Sequence, residues 1–276
     1  MKSTCSIGCF FLFLGAVGWS FQVNGLDNYL PGARSLGLSH ASVSLSDTWS
    51  TFHNQAGIAK IQTLTSGLFY ESRFGIDELS WVAGSLITPV GAGAFGLSFF
   101  QFGKRSYNEK KLGLGYALRL AEKWNAGMQL DYFFLSFPEN DFNKGIATFE
   151  GGVLFDPTQK MSLGLHLFNP LSIRCETLHR KAKLPLTIRI GGHYHFDPTV
   201  LGAIEVQKSL FQATRVKTGI EFQPAENLSL RVGVSGKPFM YTTGVGYQTG
   251  IFTTDIGFSY HGCLGIYPSV SIQINP

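Results

Sequence analysis

From about residue 63 to its end, the sequence alternates between apolar residues and polar or small ones. In the segment 112–120, leucine or tyrosine occupies each even position, and glycine, alanine or arginine occupies each odd one. Because successive side chains of a strand point to opposite faces, this pattern predicts a strand with one apolar face. The pattern is equally clear over 126–134, 147–155, 188–196, 216–222, 228–235 and 252–261.

Further segments alternate less regularly, and they bring the number of predicted strands to fourteen. They are 63–73, 79–88, 92–103, 161–168, 200–208, 239–248 and 268–274. An even number is what a closed antiparallel barrel with both chain ends on one side requires. Every second link is short and rich in turn formers, whereas the others include 136–145 and the long, basic 169–185. This two-class pattern favours a transmembrane antiparallel β-barrel over the alternative, a soluble β-sandwich.

The composition agrees with a membrane barrel. The chain has 33 Gly, 24 Phe and 10 Tyr among 276 residues, and only 14% of its residues are charged. Such barrels have an apolar exterior, aromatic girdles and tight turns, so outer-membrane lipid is an expected partner. The net charge of +4 is small and scattered along the chain, which argues against nucleic acid as a partner.

The N-terminus has the layout of a secretory signal peptide, with Lys2, an apolar run over 7–21 and small residues after it. Cleavage after Ser20 or after Gly25 fits this layout. No later run approaches the roughly 20 apolar residues that a spanning helix needs, so we expect the chain to cross a membrane as strands. The predicted divisions are a signal peptide (1–25), an N-terminal plug (26–61) and a barrel (62–276).

The stretch 32–60 differs from the rest of the mature chain because it does not alternate. It carries a Gly-Ala-Arg opening, an acidic residue and an Asn-Gln-Ala-Gly turn. The positions that define it are Gly32, Ala33, Arg34, Gly37, Asp47, Asn54, Ala56 and Gly57. This order resembles the N-terminal plug, or hatch, of FadL-like outer-membrane barrels and of the PorV/PorQ group in particular, with Gln55 replacing the proline of the family's Asn-Pro-Ala-Gly turn. Short pieces such as 184–191 and 230–235 extend the resemblance.

The resemblance implies a bacterial outer-membrane barrel whose lumen contains the plug. Resemblance to PorV/PorQ implies a role associated with type IX secretion, or a structural role, with secretion-system proteins or exported cargo as partners. Resemblance to the wider FadL class implies the alternative, passive uptake of a hydrophobic small molecule. Because the longest outside link, 169–185, has little apolar surface for capturing such a ligand, the sequence favours the secretion-associated role.

The predicted inner face of the barrel carries both signs of charge, which predicts ion pairs rather than an open ion path. We expect a network that joins the wall to the plug, with Arg34 and Asp47 on the plug side. The predicted wall members are Arg119, Asp131, Glu150, Arg189, Glu205, Lys217, Glu221, Arg231 and Asp255. Glycine at many inner positions predicts a wall that admits the plug backbone, with strand curvature as the alternative explanation.

The sequence contains no nucleophile elbow and no phosphate-binding loop, so we expect neither enzymatic activity nor a cofactor. His193 and His195 share a predicted strand face, but two ligands are too few for a defined metal site, and we expect none. Ser259 and His261 also share a face and lack a third group to orient them.

Two further features of the sequence leave alternatives open. Cys175 and Cys263 both fall in predicted outside links, where a disulfide is permitted only if the long link folds over the barrel mouth. The chain also ends in Asn275 and Pro276 rather than in the aromatic residue typical of such barrels. Either the assembly signal is degenerate or 268–274 is not the last strand.

Overall fold

A computed structural model of the protein describes residues 30–73, 75–104, 108–137, 142–171, 174–176, 181–210, 212–262 and 265–276. The predicted signal peptide, 1–25, and Cys263 lie outside the described residues, so the cleavage remains a prediction and the pairing of Cys175 with Cys263 remains an open alternative.

Two short α-helices, α1 (Ala33–Gly37) and α2 (Ser50–His53), and a 3-10 helix (Gln55–Lys60) precede the first strand. A second 3-10 helix, Asp77–Leu79, lies between the first two strands. The strands are β1 (Thr65–Glu71), β2 (Trp81–Val90), β3 (Gly93–Gly103), β4 (Asn108–Ala121), β5 (Trp124–Phe137), β6 (Phe142–Thr158), β7 (Met161–Phe168), β8 (Arg174–Glu176), β9 (Lys181–Lys183), β10 (Thr187–Asp197), β11 (Val200–Ser209), β12 (Arg215–Ala225), β13 (Leu228–Ser235), β14 (Met240–Thr249), β15 (Phe252–His261) and β16 (Gly265–Ile274). None of the described helices is long and apolar enough to cross a membrane.

Fourteen of these strands form one closed antiparallel barrel, and β8 and β9 pair only with each other, within the long link. The barrel closes between β1 and β16, where Ser66 lies opposite Ile274. The predicted fold class is therefore confirmed, and each predicted segment overlaps one barrel strand. The 268–274 segment is indeed the last strand, whereas the β8–β9 hairpin was not predicted.

The links between barrel strands differ in length at the two ends. At one end each link has two residues, as in 91–92 and 250–251, and β1 starts and β16 ends there. At the other end the links are longer, as in 72–80 and 169–186. Since membrane barrels have tight periplasmic turns and longer outside loops, we call these the periplasmic end and the outer end.

The exterior of the barrel is apolar along most strands. On β4, Leu112, Leu114 and Tyr116 point outward and are exposed, whereas Gly113 and Gly115 point inward and are buried. The same alternation recurs on β7, β11 and β16. An apolar outer surface on a closed barrel meets the requirement for contact with lipid.

Candidate functional site

Residues 30–61 lie inside the barrel, and we call them the plug. Nearly all of them are buried, although they form only short helical turns. Helix α1 packs against β13–β16, and the 3-10 helix Gln55–Lys60 packs against β3–β6. The plug therefore reaches across the lumen from one wall to the opposite one.

Close contacts fix the Gly-Ala-Arg opening of the plug. Gly32 has a φ of 102°, and a Cβ there would lie 2.7 Å from the Trp49 ring, so glycine is required. The amide N–H of Ala33, which is fully buried, donates to Ser271 Oγ at 3.2 Å. Arg34 donates from Nε and Nη2 to the Glu221 carboxylate, at 2.9 and 2.8 Å.

Asp47 and Asn54 hold the rest of the plug motif in place. Asp47 Oδ1 accepts from the Trp49 amide at 2.9 Å, and its Oδ2 lies 3.4 Å from Nη1 of Arg34. Asn54 caps the 3-10 helix, because its Oδ1 accepts from the Ala56 amide at 3.1 Å. The Nδ2 of Asn54 donates to the carbonyl oxygen of Val43 at 2.8 Å.

The remaining positions of the turn are tightly packed. Gln55, at the proline position of the family's turn, is fully buried and donates from Nε2 to the Thr51 carbonyl at 3.2 Å. A Cβ at Gly57 would lie 2.6 Å from Ser50 Oγ, and one at Gly37 would lie 3.2 Å from Gly244 Cα. These glycines bring the plug close to its own α2 and to the wall.

Several inward-facing wall glycines lie directly against the plug backbone. A Cβ at Gly127 would lie 2.5 Å from the carbonyl carbon of Gln55, and one at Gly219 would lie 2.6 Å from Leu38 Cα. By contrast, Gly113 borders polar side chains of the wall itself. The expectation that glycine makes room for the plug agrees with the geometry at Gly127 and Gly219, while Gly113 makes room for Ser98, Gln129 and Asp131 of the wall itself.

A buried ion cluster joins the plug to the wall near the periplasmic end. Arg231 donates from Nε to Glu221 at 2.5 Å and from Nη1 to Asp255 at 2.6 Å. Glu221 also forms an ion pair with Arg34, so Arg34 of the plug and Arg231 of the wall share one carboxylate. Such pairing is what charges in a water-poor interior require.

Glu205 and Lys217 form a second connection. Glu205 is fully buried, and its Oε1 accepts from Lys217 Nζ at 2.8 Å. Its Oε2 accepts from the backbone amides of Ser42 and Val43, at 3.0 and 2.8 Å. One wall carboxylate thus satisfies two plug amides that lack a helical or strand partner.

Arg189 is a wall residue that donates hydrogen bonds to plug carbonyl oxygens, whereas Glu205 accepts them from plug amides. Its Nη2 donates to the carbonyls of Phe52 (3.2 Å) and His53, and lies 3.0 Å from His166 Nδ1. Within the described part of the chain, no carboxylate lies at ion-pair distance from Arg189. Arg189 therefore fixes the plug position rather than balancing a wall charge.

Asp131 and Glu150 meet a lysine that the sequence analysis missed. Lys111 Nζ lies 2.9 Å from Glu150 and 3.3 Å from Asp131, and 5.0 Å from the centroid of the Phe52 ring. His166 Nε2 lies 3.1 Å from the second oxygen of Glu150. Lys111 has the same parity as Gly113 on β4, so a longer predicted strand would have placed it in the lumen.

The prediction for Arg119 was wrong, because this side chain does not belong to the lumen network. It is exposed at the periplasmic rim, and its Nη2 donates to the Glu122 carbonyl at 2.6 Å. The pairing of β4 with β5 shifts register between Arg119 and Ala121. A bulge of this kind redirects a side chain at a strand end, and simple alternation does not anticipate it.

The inner wall is aromatic in its outer half, from β1 to β7. The rings of Phe69, Trp81 and Phe100 pack in series, with centroids 4.6 and 5.4 Å apart. Phe133 and Phe168 pack edge to face at 6.1 Å. We call these five residues and Phe52 of the plug the aromatic lining.

Four rings of the aromatic lining border a small cavity, and the sequence analysis missed them. The cavity, of about 50 Å³, lies between Phe52, Phe100, Phe133 and Phe168, and its remaining lining is Leu30, Thr187 and the charged or polar side chains Lys111, Glu150, His166 and Arg189. The Phe-Phe pairs at 99–100 and 133–134 could have predicted these inward rings, because two consecutive phenylalanines place one ring on each face of a strand.

No group of three or more His, Cys, Asp or Glu side chains suited to a metal ion occurs among the residues that the structure describes. The rings of His193 and His195 lie 5.5 Å apart, and His193 Nδ1 lies 3.0 Å from Ser44 Oγ of the plug. His193 therefore serves as a further polar contact between wall and plug.

No protein-family model matches the chain, and no curated protein matches it. Among solved structures, the toluene transporter TodX of Pseudomonas putida matches with a TM-score of 0.67 and 12% identity, covering 91% of this chain and 99% of that one. A FadL homologue of Pseudomonas aeruginosa gives 0.64 and 11%, over 89% and 98%. The Ralstonia pickettii toluene transporter TbuX gives 0.60 and 11%, over 92% and 100%.

The chain thus has the fold of FadL- and TodX-type barrels of fourteen strands. At these identities the likeness concerns the fold alone. It agrees with the predicted outer-membrane localisation, and it gives no support to the narrower resemblance to PorV/PorQ.

Proposed function

We propose that the protein is a passive outer-membrane transporter that takes up a hydrophobic small molecule. The observation that carries this proposal is the aromatic lining, which stands on the outer side of the plug at inward-facing positions. A barrel that passes water-soluble solutes has a polar interior, so rings at these positions suit an apolar solute. No catalytic step is part of the proposal, because movement down a gradient needs none.

The structural neighbours support this reading over the secretion-associated one. Toluene or monoaromatic-hydrocarbon transport is named for several of them, and none of these names refers to secretion. The basic link 169–185 had favoured secretion because it offers little apolar surface. That argument considered the outside links alone, whereas the apolar surface lies within the lumen.

Passage requires the plug to move. The cavity beside the aromatic lining, of about 50 Å³, is far smaller than the roughly 300–1,000 Å³ of small-molecule sites. The plug contributes Leu30 and Phe52 to this cavity, and Arg189 donates a hydrogen bond to the Phe52 carbonyl. A shift of the plug away from β5 and β7 would enlarge the cavity toward the size of an aromatic ring.

Uptake of a labelled monoaromatic hydrocarbon into vesicles containing the full chain tests the proposal. Phe133→Ser removes an inward ring that is 1% exposed, and Phe134→Ser removes the neighbouring outward ring, which is 45% exposed. We expect Phe133→Ser to slow uptake about tenfold, the equivalent of about 1.4 kcal/mol, and Phe134→Ser to leave it nearly unchanged. Folding of each variant is checked by its heat-modifiable mobility on gels.

Two outcomes would count against transport of apolar solutes. One is an equal effect of the two substitutions on uptake. The other is a wild-type barrel that admits sugars or amino acids as readily as the hydrocarbon.

A further inference from the structure

Arg189 on β10 has hydrogen-bond partners of an unusual kind for a buried cation. Three other buried cations of the lumen lie 2.9, 2.8 and 2.6 Å from a carboxylate oxygen, namely Lys111, Lys217 and Arg231. The Nη2 of Arg189 instead donates to the carbonyls of Phe52 and His53 and to His166 Nδ1. A guanidinium has donors only, so Nδ1 of His166 is an acceptor and its ring is neutral. All three acceptors of Arg189 are therefore uncharged.

Arg189 also borders the cavity beside the aromatic lining, where it shares the space with the rings of Phe52, Phe100, Phe133 and Phe168. The residue is 3% exposed, and its Nη1 is buried without a hydrogen-bond partner among the residues that the structure describes. A buried donor that lacks an acceptor raises the free energy of the folded state. An acceptor atom that enters this space can therefore form a bond that a hydrocarbon cannot form.

Movement of the plug would deprive Arg189 of further partners. The carbonyls of Phe52 and His53 belong to the plug, and only His166 belongs to the wall. A shift of the plug away from β5 and β7, which the proposed transport requires, withdraws both carbonyls from the guanidinium. Loss of an acceptor costs a buried charged donor more than it costs a neutral one. A solute that supplies an acceptor at that moment lowers the cost of the shift.

The charges around the cavity favour a solute that is itself neutral. Lys111 and Arg189 stand against Glu150 and Asp131, which gives two charges of each sign. Lys111 Nζ lies 2.9 Å from Glu150 and 3.3 Å from Asp131. These four side chains have no excess positive charge that would attract an anion. The acceptor that suits Arg189 is therefore an uncharged oxygen, as in a ketone or an ester.

We propose that Arg189 determines which solutes pass: aromatic compounds that carry one neutral acceptor oxygen are favoured over hydrocarbons of the same shape. The oxygen replaces the plug carbonyls on the guanidinium as the plug shifts. This inference rests on the proposed transport of hydrophobic molecules, and it names the class of solute that the barrel takes.

Uptake of acetophenone and of isopropylbenzene into vesicles that contain the full chain tests this selection. The two molecules have equally many non-hydrogen atoms, and acetophenone has a carbonyl oxygen where isopropylbenzene has a methyl group. The rate in protein-free vesicles is subtracted from each rate. We expect the wild type to take up acetophenone about tenfold faster than isopropylbenzene.

Arg189→Met removes the donors and the charge but keeps a long unbranched side chain. It should lower the ratio of the two rates about tenfold, whatever it does to each rate. Arg189→Lys keeps the charge and one donor group. It should lower the ratio only about threefold, and it serves if Arg189→Met does not fold.

Asn54→Ala is the control for a loosened plug. It removes the 2.8 Å bond from Asn54 Nδ2 to the Val43 carbonyl and leaves Arg189 in place. Both uptake rates should change by the same factor, so the ratio should stay at its wild-type value. A role of Arg189 in holding the plug alone would instead give the same change of ratio in Asn54→Ala and Arg189→Met.

Equal uptake of the two compounds by the wild type would overturn the selection by Arg189 and leave the proposed transport intact. A ratio that persists in Arg189→Met, or that falls as far in Asn54→Ala, would also overturn the selection. An absence of uptake of both compounds would overturn the proposed transport, and this selection with it.

Discussion

The wall and the plug of this barrel are held by different kinds of interaction. Every barrel strand has a hydrogen-bonded neighbour on each side, so the wall satisfies its own backbone. The plug has helical segments of only four to six residues. Side chains such as Glu205 and Arg189 supply partners for its remaining amides and carbonyls. The plug therefore takes hydrogen-bond partners from the wall, whereas the strand pairing of the wall is complete without the plug.

Removal of residues 30–61 is the strongest test of this asymmetry. The variant should still form a closed barrel, because no strand loses a neighbour. It should unfold at a lower temperature and conduct ions in planar bilayers, since the lumen is no longer filled. Heat-modifiable mobility and single-channel recording measure the two effects.

Either of two results would contradict this picture. A deletion variant that folds and stays sealed would place the seal outside the plug. A variant that does not fold at all would mean that the wall needs the plug.

The same asymmetry decides what could be predicted from the sequence. The wall was predictable because each strand repeats one rule, side chains alternating between lipid and lumen, over eight or more residues in most cases, as on β4. The rule fails where the pairing of two strands shifts register, as it does at Arg119. It also fails where a strand extends beyond the residues that alternate clearly, and Lys111 was missed because β4 begins before the predicted segment 112–120.

The sequence indicated where the plug lies in the chain, but it did not predict the plug's conformation or its contacts. Helices as short as α2 show no periodicity, so only the motif resemblance marked the segment. The contacts that position it join residues far apart in the chain, such as Arg34 with Glu221. Strand order and strand register together decide which inward-facing residues form pairs. The alternation within a single strand predicts neither the order nor the register.

Leu114→Arg tests the wall at a lipid-facing position in the middle of β4. A charge there should lower the free energy of unfolding by about 2–4 kcal/mol. Gly115→Ser changes the adjacent, inward-facing residue and should cost much less. Urea titration of both variants in lipid vesicles gives the comparison, and equal losses would show that the two faces do not differ in their surroundings.

Gly219→Ala tests the contact between wall and plug. The new Cβ would lie 2.6 Å from Leu38 Cα, and overpacking of this kind costs about 1–3 kcal/mol. Gly84→Ala is the matched control, because its Cβ would make an ordinary contact of 3.6 Å with Leu68. In the plug-deletion background, Gly219→Ala should become harmless, and a cost that persists there would place the strain within the wall.

Asn54→Ala should have the smallest effect of the four. It removes the cap of the 3-10 helix and the bond to the Val43 carbonyl, which together should lower stability by about 1 kcal/mol. Asn143→Ala, at an exposed position of β6, is the control and should change stability by less than about 0.5 kcal/mol. Similar losses at both positions would mean that the plug turn adds nothing to stability.

The pairing of β1 with β16 closes the barrel, and it has the largest loss of chain entropy, because it joins residues as far apart in the chain as Ser66 and Ile274. The plug contacts both of these strands. Trp49 packs on Phe69 of β1 with centroids 6.0 Å apart, and the Ala33 amide donates to Ser271 of β16.

Because the plug contacts both strands, we expect it to hold the two ends of the sheet near each other before β1 and β16 pair. A barrel without the plug should then reach the same closed wall more slowly and leave two unpaired strand edges exposed for longer.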